Sequence, residues 1–486
     1  MSKKISDPEL LALFAITALG VALRFYGLGE RSLWYDEAEQ MATAKAPWAD
    51  FFGMIRGRFQ SPPLDYLLMR PWVVWGQSDW LARFWSALAS SLCIPALFIW
   101  SRSVSDTKTS LIAALLLASS SFAVDYSQEA RMYSSFLLFT ILSFLTLNHL
   151  QRSPSRGRAL IYGLSIGSLL LTHYFSYWVL LLQAPWLLLE LKKESGWVKA
   201  FELAMISWVF AAFLFLPWLP SFLEHIGRTH GAIYYGMPFT LHSFSDLLVR
   251  YSSGRNTPWF FAAAFFIAMI QAYRHKKNGI QAVAWIALGS LILPLAESQF
   301  KPSVAPRYLI FFLAPYYLVV AAGLAAVADK IKHGLWLLLC LLALVQVPAV
   351  LRDHHMGINA WKPRWHEAAN LINADKGLAP VAVTDWTASI VMGYYLLPFE
   401  NHFVPQLRSP APPAKYRLVV ADEALLRKIE TGAWQGWVVL HFGVNRDPSG
   451  DAFVSRIVKI TGAPRAHLLS PDESNGVDLY YCKGRS

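Results

Sequence analysis

Runs of mostly apolar residues recur along the first 351 positions, each closed by a short polar or basic cluster. A membrane-spanning helix needs ~20 such residues, somewhat fewer where flanking side chains snorkel. The pattern predicts helices at about 10–26, 80–100, 109–125, 132–150, 159–173, 174–191, 201–219, 257–273, 279–296, 307–328 and 333–351, about eleven spans. Leu160 to Leu191 is one continuous apolar run, about 48 Å long as a single helix, against a ~30 Å hydrocarbon core. Basic clusters flank it on both sides, QRSPSRGR and LKKESGWVK. Basic loops stay in the cytoplasm, so the chain is expected to cross twice and turn near THYF, residues 172–175.

In this register Lys3/Lys4, Arg102/Lys108, Arg152/Arg156/Arg158, Lys192/Lys193/Lys199, Arg274/Lys276/Lys277 and Lys330/Lys332 fall on one side, the cytoplasmic one. The outer side receives 27–79, the turn DYSQEAR at 125–131, the loop 220–256, the segment ESQFKPSVAPR at 297–307, and everything after 351. Within 27–79, DFFGMIRGRF and PPLDYLLMRPWVVW mix aromatic with basic residues, the pattern of helices lying in the membrane interface.

After residue 351 the pattern changes to that of a soluble domain. PVAVTDW, YRLVVAD and GWVVLHF read as short buried strands, ADEALLRKIETG as a helix with a glycine stop, and VDLYYCKG as a last strand. The expected organisation is an α-helical polytopic membrane domain over 1–351, with its first outward loop at 27–79, followed by a small extracytoplasmic α/β domain over 352–486.

Composition agrees with the membrane assignment: 55% of the 486 residues are hydrophobic and 15% charged, where soluble domains carry ~25% charged residues. The net charge of +11 sits in loop clusters and forms no basic stripe, which argues against nucleic acid as a partner and for membrane lipids. The three cysteines imply no disulfide framework, and the N-terminus reads as an uncleaved first helix.

Three outward segments hold candidate chemistry. LWYDEA places two adjacent carboxylates, Asp36 and Glu37, just beyond the first span; acids in a loop are ordinarily solvated. DYSQEARMYS brings Asp125, Glu129 and Arg131 to the outer ends of two spans. Acids there are costly unless paired or functional, and a Glu129–Arg131 pair that only orients the turn is the plainer alternative. APRYL puts Arg307 and Tyr308 at the outer end of the tenth span. With Arg83 and Arg131 at the same level, Arg307 suits a phosphate held at the outer surface, because the guanidinium fork matches phosphate oxygens; a snorkelling arginine is the alternative. His173 of THYF reaches the same face, where a lone histidine is often structural.

LWYDEA, PPLDYLL, LARFWSAL, YSQEARMYS, THYF and APRYL occur in this order in bacterial polytopic glycosyltransferases of the GT-C type. The chain resembles the dolichyl-phosphate-mannose protein mannosyltransferase-like family (glycosyltransferase family 39) and, more distantly, the aminoarabinose transferases. The likeness covers about residues 10–330; the C-terminal domain matches in position only. It departs after PPL, where the family commonly has an aromatic pair and this chain has Asp65 before Tyr66, at the expected floor of the acceptor cleft.

The resemblance implies a GT-C-like fold and transfer of a sugar from a polyprenyl-phosphate donor to a hydroxyl of a lipid-linked glycan, an envelope polysaccharide or a protein. It also implies inversion by direct displacement, on the outer face of a bacterial cytoplasmic membrane. It gives the first outward loop the acid at the reaction centre: Asp36 as base, with Glu37 and Glu129 orienting it or binding a divalent metal cation, the candidate cofactor. Arg307, supported by Arg83 and Arg131, would hold the lipid phosphate, with His173 and Tyr308 also in the substrate-binding set. A phosphate leaving group needs cations rather than a general acid, whereas a hydroxyl acceptor needs its proton taken.

A transporter or lipid flippase is the competing class. It would place ionisable groups near the bilayer midplane or break helices there, and LIAALLLASS and FFLAPYYLVVAAGLA carry no charge. A sensor anchored by its membrane part is weaker still, because an anchor needs one span and no outward set of arginines and carboxylates.

Overall fold

The computed structural model describes residues 5–56, 61–76, 78–229, 240–254, 257–275, 278–300, 305–356, 362–375, 380–383, 386–396, 418–420, 423–442, 452–469 and 476–483. The basic residues Lys3, Lys4, Lys276 and Lys277, and parts of the outward segments 27–79, 220–256 and 297–307, lie outside them. The chain divides into two units: Met1–Tyr26 with Phe52–Leu68 and Arg83–Arg352, and Gly27–Phe51 with Met69–Ala82 and Asp353–Ser486.

The first unit is helical, and it makes the protein a multi-pass membrane protein. Among the described residues seven helices are long and apolar enough to cross a membrane, eight if the bent pair Thr107–Ala118 and Ser121–Ser127 is one span. Every expected span coincides with a helix, but not all of them meet that length. Arg156–Leu170 has 15 residues and Pro258–Arg274 has 17. The sixth and seventh expected spans form one element, Ser176–Phe215, broken at Gly196, whose φ of 76° is a left-handed conformation suited to glycine. The chain turns at 171–175, as the basic flanks require.

The first helix, Asp7–Phe25, starts with the Ser6 N–H donating to Glu9 Oε2 at 2.9 Å and ends on a buried arginine. Arg24 donates from Nε to Ser90 Oγ (2.8 Å) and from its two terminal nitrogens to the carbonyls of Gly20, Ala118 and Leu117, each at 3.0 Å. Leu117 and Ala118 close a helix that bends by 54° into Ser121–Ser127. Carbonyls freed at such a break find no water inside a bilayer. Arg24 satisfies them, and Ser120 caps the next helix by accepting from Ala123 N–H at 3.2 Å. Gly323 lets Leu313–Ala328 approach Pro258–Arg274 closely, since a Cβ there would lie 1.8 Å from Ala264 O.

Among the described residues the second unit contains a five-stranded sheet. Its strands are β1 (Val381–Val383), β2 (Leu418–Val420), β3 (Gly436–Phe442), β4 (Ala466–Leu469) and β5 (Gly476–Cys482), in the order β2-β1-β3-β5-β4. β1 pairs parallel with β2 and β3, while β5 runs antiparallel to β3 and β4. Helices Glu423–Glu430 and Ala452–Thr461 place Leu426, Ile429 and Ile457 against Ala382, Val438, Leu440 and Tyr480. Helix Trp386–Leu396 packs on helix Tyr35–Lys45. The ends of the outward segment 27–79 therefore pack with the C-terminal residues, and its middle, 52–68, packs in the helical unit.

Candidate active site

The expected site residues fall into two groups. Asp36 and Glu37 belong to the second unit; Arg83, Glu129, Arg131, His173, Arg307 and Tyr308 belong to the first.

In the first unit the 125–131 turn is pinned at both ends. Gln128 Nε2 donates to the carbonyls of Arg24 (3.2 Å) and Tyr26 (2.7 Å), and Ser134 Oγ donates to Tyr126 O at 3.2 Å. Ser86, one turn beyond Arg83 on helix Asp79–Val104, donates to Arg131 O at 3.3 Å, so the helix carrying Arg83 meets this turn. Asp125, Glu129 and Arg83 are buried.

An aromatic cluster gathers beside the turn. Tyr133 lies 6.4 Å from the ring of His173 and 6.5 Å from that of Tyr308, and His173 and Tyr308 are 5.4 Å apart. Phe136 stacks on His173 at 4.7 Å, and the Arg307 guanidinium sits 5.4 Å from the Tyr308 ring centre. Tyr133 had drawn no attention in the sequence; as the first helical residue after the turn it offered no signal beyond its position.

Burial, reinforced by the charges of Arg131 and Arg307, pushes the His173 imidazole down to about 3. His173 is therefore neutral at physiological pH. Its Nδ1 accepts from Phe175 N–H at 3.0 Å, which leaves the ring proton on Nε2. Arg307 is half-buried, and its Nε has no hydrogen-bond partner among the described residues. A desolvated donor of this kind is costly unless an acceptor reaches it. The structure thus brings Arg131, His173, Arg307 and Tyr308 together, and Glu129 is electrostatically coupled to Arg307.

Asp65, the departure from the family pattern, is buried and accepts from Ser135 Oγ at 2.5 Å, while Ser135 Oγ accepts from Trp85 Nε1 at 2.9 Å. The Leu64 N–H donates to Leu171 O at 3.0 Å, tying PPLDYLL to the turn that carries His173.

In the second unit Asp36 and Glu37 occupy the first turn of helix Tyr35–Lys45, and they differ sharply. Asp36 is half-buried, whereas Glu37 is fully buried. Glu37 Oε2 accepts from Trp34 N–H at 3.2 Å, closing the helix start, and pairs with Lys362 Nζ at 2.7 Å. At the other end of this helix Arg70 donates to the carbonyls of Ala44 and Ala46, both at 2.7 Å, with its guanidinium 4.0 Å from the Trp48 ring centre. Lys362 escaped the sequence reading because nothing in WKPRWHE links it to a residue 325 positions earlier. Among the described residues no three His, Cys, Asp or Glu side chains converge as a metal site, and the Glu37 carboxylate already faces an ammonium. Glu37, so paired, does not fit a divalent cation.

A family model for dolichyl-phosphate-mannose-protein mannosyltransferase matches residues 60–220. An undecaprenyl phosphate-alpha-4-amino-4-deoxy-L-arabinose arabinosyl transferase of Pseudomonas aeruginosa is 24% identical over 286 residues, 55% of this chain and 50% of the relative. The chain spans about half the length of the curated relatives it matches. Among solved structures, ArnT from Cupriavidus metallidurans aligns over 97% of this chain and 99% of its own, with a TM-score of 0.61 at 13% identity, in its apo state and bound to undecaprenyl phosphate. The Archaeoglobus fulgidus oligosaccharyltransferase AglB, solved with an inhibitory peptide and a dolichol-phosphate, aligns over 97% of this chain and 74% of its own, with a TM-score of 0.58 at 11% identity.

The fold is that of the GT-C membrane glycosyltransferases. In sequence the chain resembles the dolichyl-phosphate-mannose-protein mannosyltransferases over residues 60–220 and the aminoarabinose transferases over 286 residues.

Proposed function

We propose that this protein is a membrane glycosyltransferase that moves a sugar from a polyprenyl-phosphate donor to a hydroxyl acceptor on the outer face of a bacterial cytoplasmic membrane, where its C-terminal domain also lies. The acceptor is a lipid-linked glycan, an envelope polysaccharide or a protein. The observation that carries this reading is the cluster of Arg131, Arg307, Tyr308 and neutral His173, with the Arg307 Nε donor lacking a protein acceptor among the described residues. Two guanidinium groups and an imidazole N–H suit a phosphate, and the start of helix Tyr133–Arg152 adds its positive end. The names of the relatives, which concern undecaprenyl phosphate and dolichol-phosphate, support the same donor class.

In the proposed reaction the acceptor oxygen attacks the anomeric carbon from the face opposite the phosphate. Its proton passes to the Asp36 carboxylate, and the bond from that carbon to the phosphate oxygen breaks with its electron pair left on the phosphate. Arg307, with Arg131 and Arg83, stabilises the charge gathering there, Tyr308 and His173 line the phosphate, and Glu129 orients the arginines. One displacement inverts the anomeric configuration.

The test is purified protein in vesicles with a panel of synthetic undecaprenyl-phosphate sugars and bacterial envelope lipids or glycans as acceptors, read as release of undecaprenyl phosphate. Release that depends on the acceptor supports the reading. Movement of the donor across the bilayer without release from any panel member would replace it with a flippase.

A further inference from the structure

The second unit holds the segment 32–37 at three points, all made by residues of the C-terminal region. Ser32 Oγ lies 2.6 Å from His366 Nδ1 and accepts from His366 N–H at 3.0 Å. The Leu33 N–H donates to Tyr395 Oη at 2.7 Å, and that hydroxyl donates onward to the Asp79 carboxylate, 3.0 and 2.9 Å from its two oxygens. Glu37 pairs with Lys362 at 2.7 Å, with side-chain exposures of 0% and 1%.

These contacts flank Asp36. Two carboxylates on adjacent residues of one helix turn repel each other, and a buried carboxylate without a partner would shift its proton or its position. The Lys362 ammonium removes both problems: it holds Glu37 inward as an anion and leaves Asp36, the neighbour on the helical path, at the half-buried surface of the turn. The same Glu37 oxygen accepts the Trp34 N–H, so Lys362 also fixes the first turn of the helix.

We infer that the C-terminal domain takes part in the reaction as a positioning element: Lys362, assisted by His366 and Tyr395, sets the placement of the Asp36–Glu37 turn for transfer. The inference rests on the proposed transferase reading. Lys362 touches neither donor nor acceptor in this scheme and acts through Glu37. Misplacing a reacting group by about 1 Å costs on the order of a hundredfold in rate, so a displaced turn is read in turnover rather than in donor affinity.

The test compares Lys362→Met, the double variant Glu37→Gln/Lys362→Met, Tyr395→Phe and Asp36→Asn in vesicles, using the undecaprenyl-phosphate sugar that the wild-type protein turns over fastest. Turnover per folded protein is read with the donor KM, together with hydrogen exchange of the peptide covering 33–45. Lys362→Met is expected to lower kcat about tenfold or more, with donor KM within about twofold and faster exchange confined to 33–45. The double variant, which leaves no buried charge unpaired, should recover several-fold over the single one. Should Lys362→Met fail to fold, Tyr395→Phe, which removes one hydroxyl, should still lower kcat several-fold at unchanged KM. Wild-type kcat in Lys362→Met, or wild-type kcat in Tyr395→Phe where that variant carries the test, would overturn the positioning role. So would kcat and KM worsening together. Asp36→Asn separates the two ideas: if it is slow while Lys362→Met is not, only the positioning role falls; if it is silent while Lys362→Met is slow, only the assignment of the base falls.

Discussion

The turn at 125–131, between two helices, and the turn at 33–37, at the start of one, both present acids, yet they are built differently. Neutral groups help to close the first. Gln128 and Ser134 pin its backbone, aromatic rings pack beside it, and the charged groups Arg131 and Arg307 collect around a histidine that burial keeps neutral. The second is closed by charge, through a fully buried Glu37–Lys362 pair that turns one carboxylate inward beside the half-buried Asp36. In the proposed reaction the first turn would serve the leaving phosphate and the second the acceptor's proton.

Sidedness gives the largest contrast, since it is all or none. The basic-loop pattern puts 156–158 in the cytoplasm and the C-terminal sheet outside. Gly157 is exposed with nothing within 4 Å of an added Cβ, and Lys459 is exposed on helix Ala452–Thr461. In a background without other cysteines, a membrane-impermeant thiol reagent applied to intact cells should label Lys459→Cys and spare Gly157→Cys. The reverse pattern would invert the topology and remove both turns from the outer face. Next comes Asp36→Asn, which keeps shape but cannot accept the proton; transfer should fall by about 10² or more with donor binding near wild type. Retention of half the wild-type rate would leave Asp36 a loop residue. Arg307→Lys keeps charge and loses the fork, so roughly tenfold weaker donor binding or turnover is expected. Unchanged kinetics in Arg307→Ala would return it to a snorkelling anchor.

Hydropathy and basic flanks made the helices legible, because length and apolarity are local properties. What they missed was set by distant partners. The bend after Ala118 lies inside an apolar stretch whose serines look unremarkable, and the group that satisfies its freed carbonyls, Arg24, is 93 and 94 positions away from them. In the second unit GWVVLHF and the LYYC of VDLYYCKG match β3 and β5, and the LVV of YRLVVAD matches β2. Ala466–Leu469 was not read as a strand: it is an edge strand with little burial and no alternation to reveal it. WTASIVMGYYL, apolar all round, carried no helical period, yet Tyr395 from this helix reaches Leu33. Of the candidate site, the acids and arginines stand out by their expected position beside span ends. Lys362, His366 and Tyr395 were not, because pairing across more than 300 residues leaves no trace in spacing.

The smallest expected effect concerns His173 and discriminates between a cationic and a neutral member of the phosphate cluster. Its folded value of about 3 lies below the ordinary 6.5, so between these values the unfolded chain binds the proton and the folded protein does not. Stability from this site is complete above pH 6.5 and falls as pH drops towards 3, because protons then favour the unfolded state. His173→Asn keeps an acceptor for the Phe175 N–H and removes the titration. Thermal unfolding of the two proteins between pH 7 and 4 should therefore diverge, the wild type losing stability more steeply by a slope of at most about one proton. The profile of transfer rate between pH 6 and 8 should have the same shape in both, since a neutral imidazole changes no charge there. Equal unfolding slopes, or a limb near pH 6.5 that vanishes in His173→Asn, would mean that the folded imidazole titrates near its ordinary value. The cluster would then gain a cation as pH falls through that value.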